Sequence, residues 1–166
     1  MWDLWAEHLM NNAFPAALRR VRRHRELGHR TMLITGALDM LVEPVKPLFD
    51  VVIAAEMRQS GGRYTGELVE APCTGEARAL AIREYCETED LELEQCVAYA
   101  DSASDLPMLE VVGHPVAVNA EAKLAAIARK RGWHTEEWSR DAGANRTGPI
   151  SRRASFLLPG QRKAGV

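Results

Sequence analysis

Between residues 14 and 138 the apolar positions switch repeatedly between two spacings. Pro15 suits the first turn of a helix, after which Phe14, Ala17, Leu18 and Val21 recur at helical spacing with arginines on the other side, and Gly28 fits the position just past the end. Residues 31–35 form a short apolar run of buried-strand type that stops at Gly36, and 38–49 read as helical despite Pro44 and Pro47. A second strand is predicted at 51–55. From there to Val69, with a break at Gly61-Gly62, the chain reads as a β-hairpin carried on that strand's end. The Ala-, Leu-, Glu- and Arg-rich stretch 75–87 predicts a helix, and 96–100 a third strand that ends abruptly on Asp101. Asp105 is placed to cap a helix that Gly113 terminates, 116–119 is a short fourth strand, and 121–131 is a last helix closed by Gly132.

Strands that alternate with helices predict an α/β layer fold. Each crossover helix has to cover a sheet face, so the sheet is mostly parallel and Rossmann-like, with flanking helices and the hairpin as an addition. A length of 166 residues suits one domain, and 46% hydrophobic with 27% charged residues describes a soluble chain. Three cysteines, at 73, 86 and 96, cannot all pair and lack metal-finger spacing, which points to a reducing cytoplasm. The start lacks a basic region followed by an apolar run, and no stretch approaches the ~18 apolar residues of a membrane span.

The net charge of −2 hides a split, because residues 139–166 hold six Lys/Arg against Asp141 while residues 1–138 hold 15 basic against 22 acidic side chains. That acidic body argues against nucleic acid as a partner. The last 28 residues, with four glycines and two prolines, read as a flexible basic tail. Arg19, Arg20, Arg22, Arg23, Arg25 and Arg30 make a local basic cluster, read as a solvated helix face.

In open α/β sheets ligands bind beyond the C-terminal ends of the strands, which directs attention to Thr35-Gly36, Asp101 and Asn119. Asp101 sits directly off a buried strand and Asp105 four residues on, where a helix begins. Two carboxylates held together at such a turn repel, and a hard divalent cation such as Mg²⁺ relieves the repulsion. The same two residues would equally serve as a turn residue and a helix cap. Thr35-Gly36 offers a hydroxyl and a backbone N–H to a phosphate oxygen, and Arg78, on the first turn of its helix, could lay a guanidinium on a phosphate or simply be solvated.

The order and spacing of these elements, from Phe14 to Trp138, resemble the haloacid dehalogenase superfamily of phosphatases in its phosphoserine-phosphatase-like branch. Leu33-Ile-Thr35-Gly36-Ala is similar to that family's second motif, Cys73-Thr-Gly75-Glu-Ala-Arg78 to its third, and Tyr99-Ala-Asp101-Ser-Ala-Ser-Asp105-Leu-Pro-Met-Leu to its fourth. The resemblance implies a Mg²⁺-dependent phosphatase that acts on a small phosphomonoester through an aspartyl-phosphate. It implies that Thr35, Gly36 and Arg78 bind the phosphoryl group, with Thr35 and Arg78 stabilising its charge, and that Asp101 and Asp105 hold Mg²⁺. Arg78 stands where the family has a lysine, so a planar fork replaces a compact ammonium. Ala100 stands where a glycine is usual.

The family's nucleophile belongs to an Asp-x-Asp pattern on a first strand. The seven aspartates here, at 3, 39, 50, 90, 101, 105 and 141, include no pair separated by one residue. The resemblance therefore implies a chain cut off near the end of its cap and inactive by itself. Residues 1–13 would be the trailing end of that cap, 14–138 the core with motifs two to four, and 139–166 the tail. In the family the first strand lies between those that are here 96–100 and 31–35. Without it these two strands either pair with each other, take a strand from a second polypeptide, or leave the chain marginally stable. The alternative function is a non-catalytic phosphate- or Mg²⁺-binding remnant, or an interaction module that uses the arginine cluster and the tail.

Overall fold

The computed structural model describes Leu4 and residues 15–139; the cap segment expected at 1–13 and nearly all of the expected tail lie outside the described residues. Helix α1 (Pro15–Glu26) starts on its proline, and Gly28 takes φ +78° just past its end, where a side chain would be strained. The buried side of α1 holds Ala16 and Val21 but also Arg20 and His24. The expected solvated arginine face is thus corrected at one position: Arg20 is buried in an ion pair with Glu136, while the five other arginines of the cluster are exposed.

Strand β1 (Met32–Leu38) pairs in parallel with β2 (Val51–Ala55), Met32 against Val51 and Ile34 against Ile53. Between them the expected helix is only one turn, α2 (Asp39–Val42), continued as a 3₁₀ segment over Glu43–Leu48. Pro44 and Pro47 supply no N–H for an α-helical ladder, so the tighter turn takes over. Strands β3 (Met57–Ser60) and β4 (Arg63–Leu68) form the hairpin, with Gly61 and Gly62 at φ +56° and +74°, as a two-residue turn matched to strand twist requires.

Helix α3 (Glu76–Thr88) leads to β5 (Val97–Ala100). Helix α4 (Leu106–Val111), β6 (His114–Val118), α5 (Ala122–Arg131) and β7 (His134–Glu136) follow. The three strands form a parallel sheet with β6 in the middle. β7 has no sequence signal, since His134-Thr135-Glu136 contains no apolar residue.

The core lies mainly on one face of β5 and β6, where Ile82, Leu109 and Leu124 are fully buried against Ala98, Ala100 and Ala117, with Met32 and Ile34 of β1 packed alongside. Val97, Val116 and Val118 pack on the other face with Tyr99 and Trp138. The α/β class with parallel sheets and flanking helices is as expected. The parallel strands nevertheless form two sheets: among the described residues no ladder joins β1 to β5. Residues 32–35 are accordingly only half-buried, although their composition is that of a strand covered on all sides. No helix among the described residues is long and apolar enough to cross a membrane.

Candidate active site

The end of β1 departs from regular pairing at the Thr35-Gly36 position. Ile34 faces Ile53 and Leu38 faces Ala55, so three residues of β1 stand opposite one of β2, and the bulge lifts residues 35–37 out of the ladder. Within it the Ala37 N–H donates to Thr35 Oγ1 at 3.1 Å. Gly36 is exposed and lies beside the next loop, where a β-carbon on it would come 3.9 Å from Pro72 Cβ.

That loop carries Cys73 and Gly75 into α3. Gly75 adopts φ +52°, and a β-carbon there would lie 3.9 Å from the Ser104 carbonyl, so this loop also borders the turn that follows β5. Arg78, in the first turn of α3, closes the gap. Its Nε donates to the Cys73 carbonyl at 3.0 Å, and a terminal nitrogen pairs with Asp105 Oδ1. Through these contacts the ends of β1 and β5 meet on one side of the molecule.

Asp105 occupies the N-cap position of α4, but its carboxylate makes no capping bond. The expectation of a simple cap is corrected, because the carboxylate turns to Arg78 instead. Ser102 supplies local closure, its hydroxyl accepting from the Ser104 N–H at 3.3 Å. Burial pushes the Asp105 carboxyl above its ordinary pKa; the Arg78 charge opposes the rise and the Asp101 charge adds to it. The two aspartates therefore sense each other, as like charges on one turn must. Asp101 itself is exposed at the end of β5, its carbonyl accepting from the Glu121 N–H at 2.9 Å.

Two further residues shape the site. Glu121, which the sequence reading took only as the start of a helix, accepts from the Ala103 N–H at 2.7 Å and from the Ser102 hydroxyl at 3.4 Å. It thereby ties the acidic turn to α5. Its signal was an acid two residues past a strand end. Asn119, at φ +45°, donates to the Trp138 carbonyl at 2.9 Å and accepts from the Trp138 N–H at 2.7 Å. Its side chain is committed to holding the chain after β7.

The donors here are carboxylate, hydroxyl and carbonyl oxygens, the set a hard cation prefers. Among the described residues no group of three or more His, Cys, Asp and Glu could hold a metal ion. Asp101 and Asp105 are carboxylates that could contribute to a Mg²⁺ shell, which commonly takes one or two carboxylates and completes itself with water and phosphate.

The model of haloacid dehalogenase-like hydrolases matches residues 3–110. The chain is 37% identical over 148 residues to a probable phosphatase of Mycobacterium tuberculosis, a match that covers 88% of this chain and 48% of that protein. It is 36% identical over 154 residues to a phosphoserine phosphatase of the same organism, with 92% of this chain and 50% of that protein covered. The chain thus spans about half the length of the curated relatives it matches. A solved protein of unknown function from Bordetella pertussis superposes with a TM-score of 0.67 at 27% identity, over 80% of this chain and 64% of that one.

Proposed function

Because the chain belongs to the haloacid dehalogenase-like hydrolase family, we propose that the core expected at 14–138 carries the phosphate- and cation-binding part of a Mg²⁺-dependent phosphatase for a small phosphomonoester. The observation that carries this reading is the Arg78–Asp105 pair beside Asp101, at the end of the molecule where the Thr35-Gly36 bulge also lies. The Thr35 hydroxyl and the Gly36 N–H bind phosphoryl oxygens. Arg78, anchored through Nε on Cys73 and through one terminal nitrogen on Asp105, presents its remaining N–H groups to the same oxygens with little reorganisation. Asp101 and Asp105 hold Mg²⁺, which when bound neutralises charge on the transferring group. Keeping Asp105 in Arg78's grip positions one carboxylate while Asp101 stays exposed to ligand.

The reaction class implied is attack of an aspartate carboxylate on phosphorus, with loss of the alcohol, followed by hydrolysis of the acyl phosphate by water. No two aspartates of the 166 residues are separated by one position, so these residues bind phosphate and Mg²⁺ without supplying the nucleophile in its familiar pattern. The buried thiols of Cys86 and Cys96 lie 3.8 Å apart in hydrogen-bonding contact.

Titration calorimetry of the 166-residue chain with MgCl₂ and inorganic phosphate tests the binding role. Heat that disappears in Asp101→Ala and weakens in Arg78→Ala is expected; a folded chain that binds neither ion overturns it. Hydrolysis of an aryl phosphate is expected to match that of Asp101→Ala, and turnover clearly above that variant overturns the claim that the chain is inactive alone.

A further inference from the structure

We infer that Cys86 and Cys96 form a reversible disulfide when the folded chain meets hydrogen peroxide, which makes this buried thiol pair a redox modification site. The two sulfurs lie 3.8 Å apart in hydrogen-bonding contact, and both side chains are almost inaccessible to water within the main core. A disulfide holds its sulfurs at about 2 Å, so pairing needs side-chain rotation and a slight approach of the two segments. Cys86 belongs to the last turn of α3 and Cys96 directly precedes β5, and residues 87–95 connect them. Cys73 sits on the loop before α3, outside this contact.

The two thiols are not equivalent. Cys96 Sγ also donates to the Glu92 carbonyl at 3.4 Å, and its contact with Cys86, burial and the Glu94 charge push that thiol up. The same contact pulls Cys86 down against the effect of burial. Cys86 is therefore the thiol that ionises first and attacks, because the thiolate is the nucleophile. Its sulfur forms an S–O bond as the O–O bond of peroxide breaks, and the departing hydroxide takes up the Cys86 proton as water. Cys96 then attacks the Cys86 sulfur: the S–S bond forms, the S–O bond breaks, and the second hydroxide leaves with the Cys96 proton as water. Two thiols are oxidised and one peroxide is reduced to two waters. A resolving thiol already in contact stops Cys86 at a reversible stage, before the sulfinic acid.

Peroxide reaches the pair through the connector. The Gly113 N–H holds the Leu93 carbonyl and the His114 N–H the Cys96 carbonyl, so Cys96 stays in place and the part free to open is 87–92. In that stretch only Leu91 turns inward, packing on the cluster that holds both thiols, while the other five residues are exposed. Asp90 adopts φ +56°, a left-handed conformation that strains a residue with a side chain. An exposed segment with one apolar anchor opens at lower cost than the core strands. Its carboxylates, Glu87, Glu89, Asp90 and Glu92, are accompanied by no lysine or arginine, which disfavours anionic disulfides and favours a small uncharged oxidant. The bond once formed ties the last turn of α3 to the start of β5, at the opposite ends of these elements from Arg78 and Asp101. The pairing rests on the thiols alone and stands apart from the phosphatase reading.

The experiment exposes the folded 166-residue chain to hydrogen peroxide, quenches with catalase, blocks free thiols with iodoacetamide and maps tryptic peptides by mass. Cys86 and Cys96 share the peptide 84–123, because no lysine or arginine lies between Arg83 and Lys123, and Cys73 reports from 64–78. Peptide 84–123 is expected to lose two hydrogens and escape the label, and to take two labels again after dithiothreitol. In the folded chain this pair should exceed pairs that include Cys73 by ~10-fold or more, whereas the urea-unfolded chain should form the 73–86 and 86–96 pairs in comparable amounts. The proposal is overturned if the folded chain keeps both thiols labelled, carries sulfinic or sulfonic acid in place of the disulfide, or pairs Cys73 as readily. Urea well below the unfolding transition should change the rate by less than about 2-fold, as local opening predicts, and a rate that tracks global unfolding overturns the proposal as well. In Cys96→Ala, dimedone is expected to trap the sulfenic acid on Cys86; a folded variant without that adduct overturns the assignment of Cys86 as the attacking thiol.

Discussion

Asp105 and His24 are both buried ionisable residues, and their opposite charge types give opposite responses to pH. Asp105 is raised above its ordinary value by burial, so as pH falls the folded state takes its proton first, and protonation there favours folding. Removing the cation that opposes this rise should be expensive at neutral pH. Arg78→Ala is expected to destabilise the chain by about 3–5 kcal/mol, and Arg78→Lys by much less, because only the first leaves a buried carboxylate without its charge partner. Urea unfolding at pH 7.5 checks this, and repeating it at progressively lower pH should show a smaller loss as Asp105 gains a proton. His24, fully buried on α1, is pulled down to about 2 by burial and by the nearby His29 and Arg20, and burial lowers His29 as well. The unfolded chain then takes these protons first below pH 6.5. Stability should therefore be full above that value and fall by up to ~1.4 kcal/mol per pH unit per histidine beneath it. Protonation of folded Asp105 acts in the opposite direction as pH falls. His24→Gln should flatten the decline without abolishing it, because His29 remains. Thr35, Gly36 and Asp101 drew attention in the sequence because they stand at the ends of apolar runs, and Arg78 and Asp105 because they stand at helix starts. The burial of Arg20 was not, since its partner Glu136 is 116 positions away and a charge pattern on one helix carries no record of it.

At the scale of elements, legibility followed the strength of local chemistry. Strands at 51–55 and 97–100 and the glycine-closed α5 were readable because period, turn residues and left-handed positions agree. β7 was not, because three polar residues became a strand only by lying beside β6. Gly113 has a role the sequence could not convey. It reads as a helix terminator, but α4 has already ended at Val111, and a β-carbon on Gly113 would overlap the backbone carbonyl of Glu94. Its N–H meanwhile donates to the Leu93 carbonyl at 2.9 Å, locking the start of β6 against the segment before β5. Gly113→Ala is thus expected to cost ~3 kcal/mol, at the upper end of overpacking penalties, because backbone rather than a mobile side chain must move. Gly62→Ala, strained by its positive φ but with open space around it, should cost about 1 kcal/mol and loosen only the exposed hairpin. Thermal unfolding separates the two, and a larger loss for Gly62→Ala would refute the assignment.

Among the described residues no ladder joins the two parallel sheets, and side chains link them. On one face, α1 reaches across: Arg20 pairs with Glu136 of β7, and His24 Nε2 lies 3.4 Å from the Tyr99 hydroxyl of β5. On the other, α3 places Ile82 between β1 residues and the β5–β6 core while Arg78 grips Asp105. The Arg20–Glu136 pair is the more revealing clasp, because both groups are almost inaccessible to water and Trp138 Nε1 donates to the same carboxylate at 2.7 Å. A buried pair gains little net stability over apolar groups of similar volume, since desolvation offsets its attraction, yet losing one member leaves a charge in a dry site. Arg20→Leu should accordingly cost about 3–5 kcal/mol, whereas Arg20→Leu with Glu136→Leu should recover a large part of that loss. If the clasp registers the two sheets, the double variant will regain stability by urea unfolding while hydrogen exchange across 32–34 remains faster than in the parent, because apolar contact restores burial without restoring a directional link. Equal exchange in parent and double variant would mean that the core around Ile82 alone sets the spacing of the two sheets.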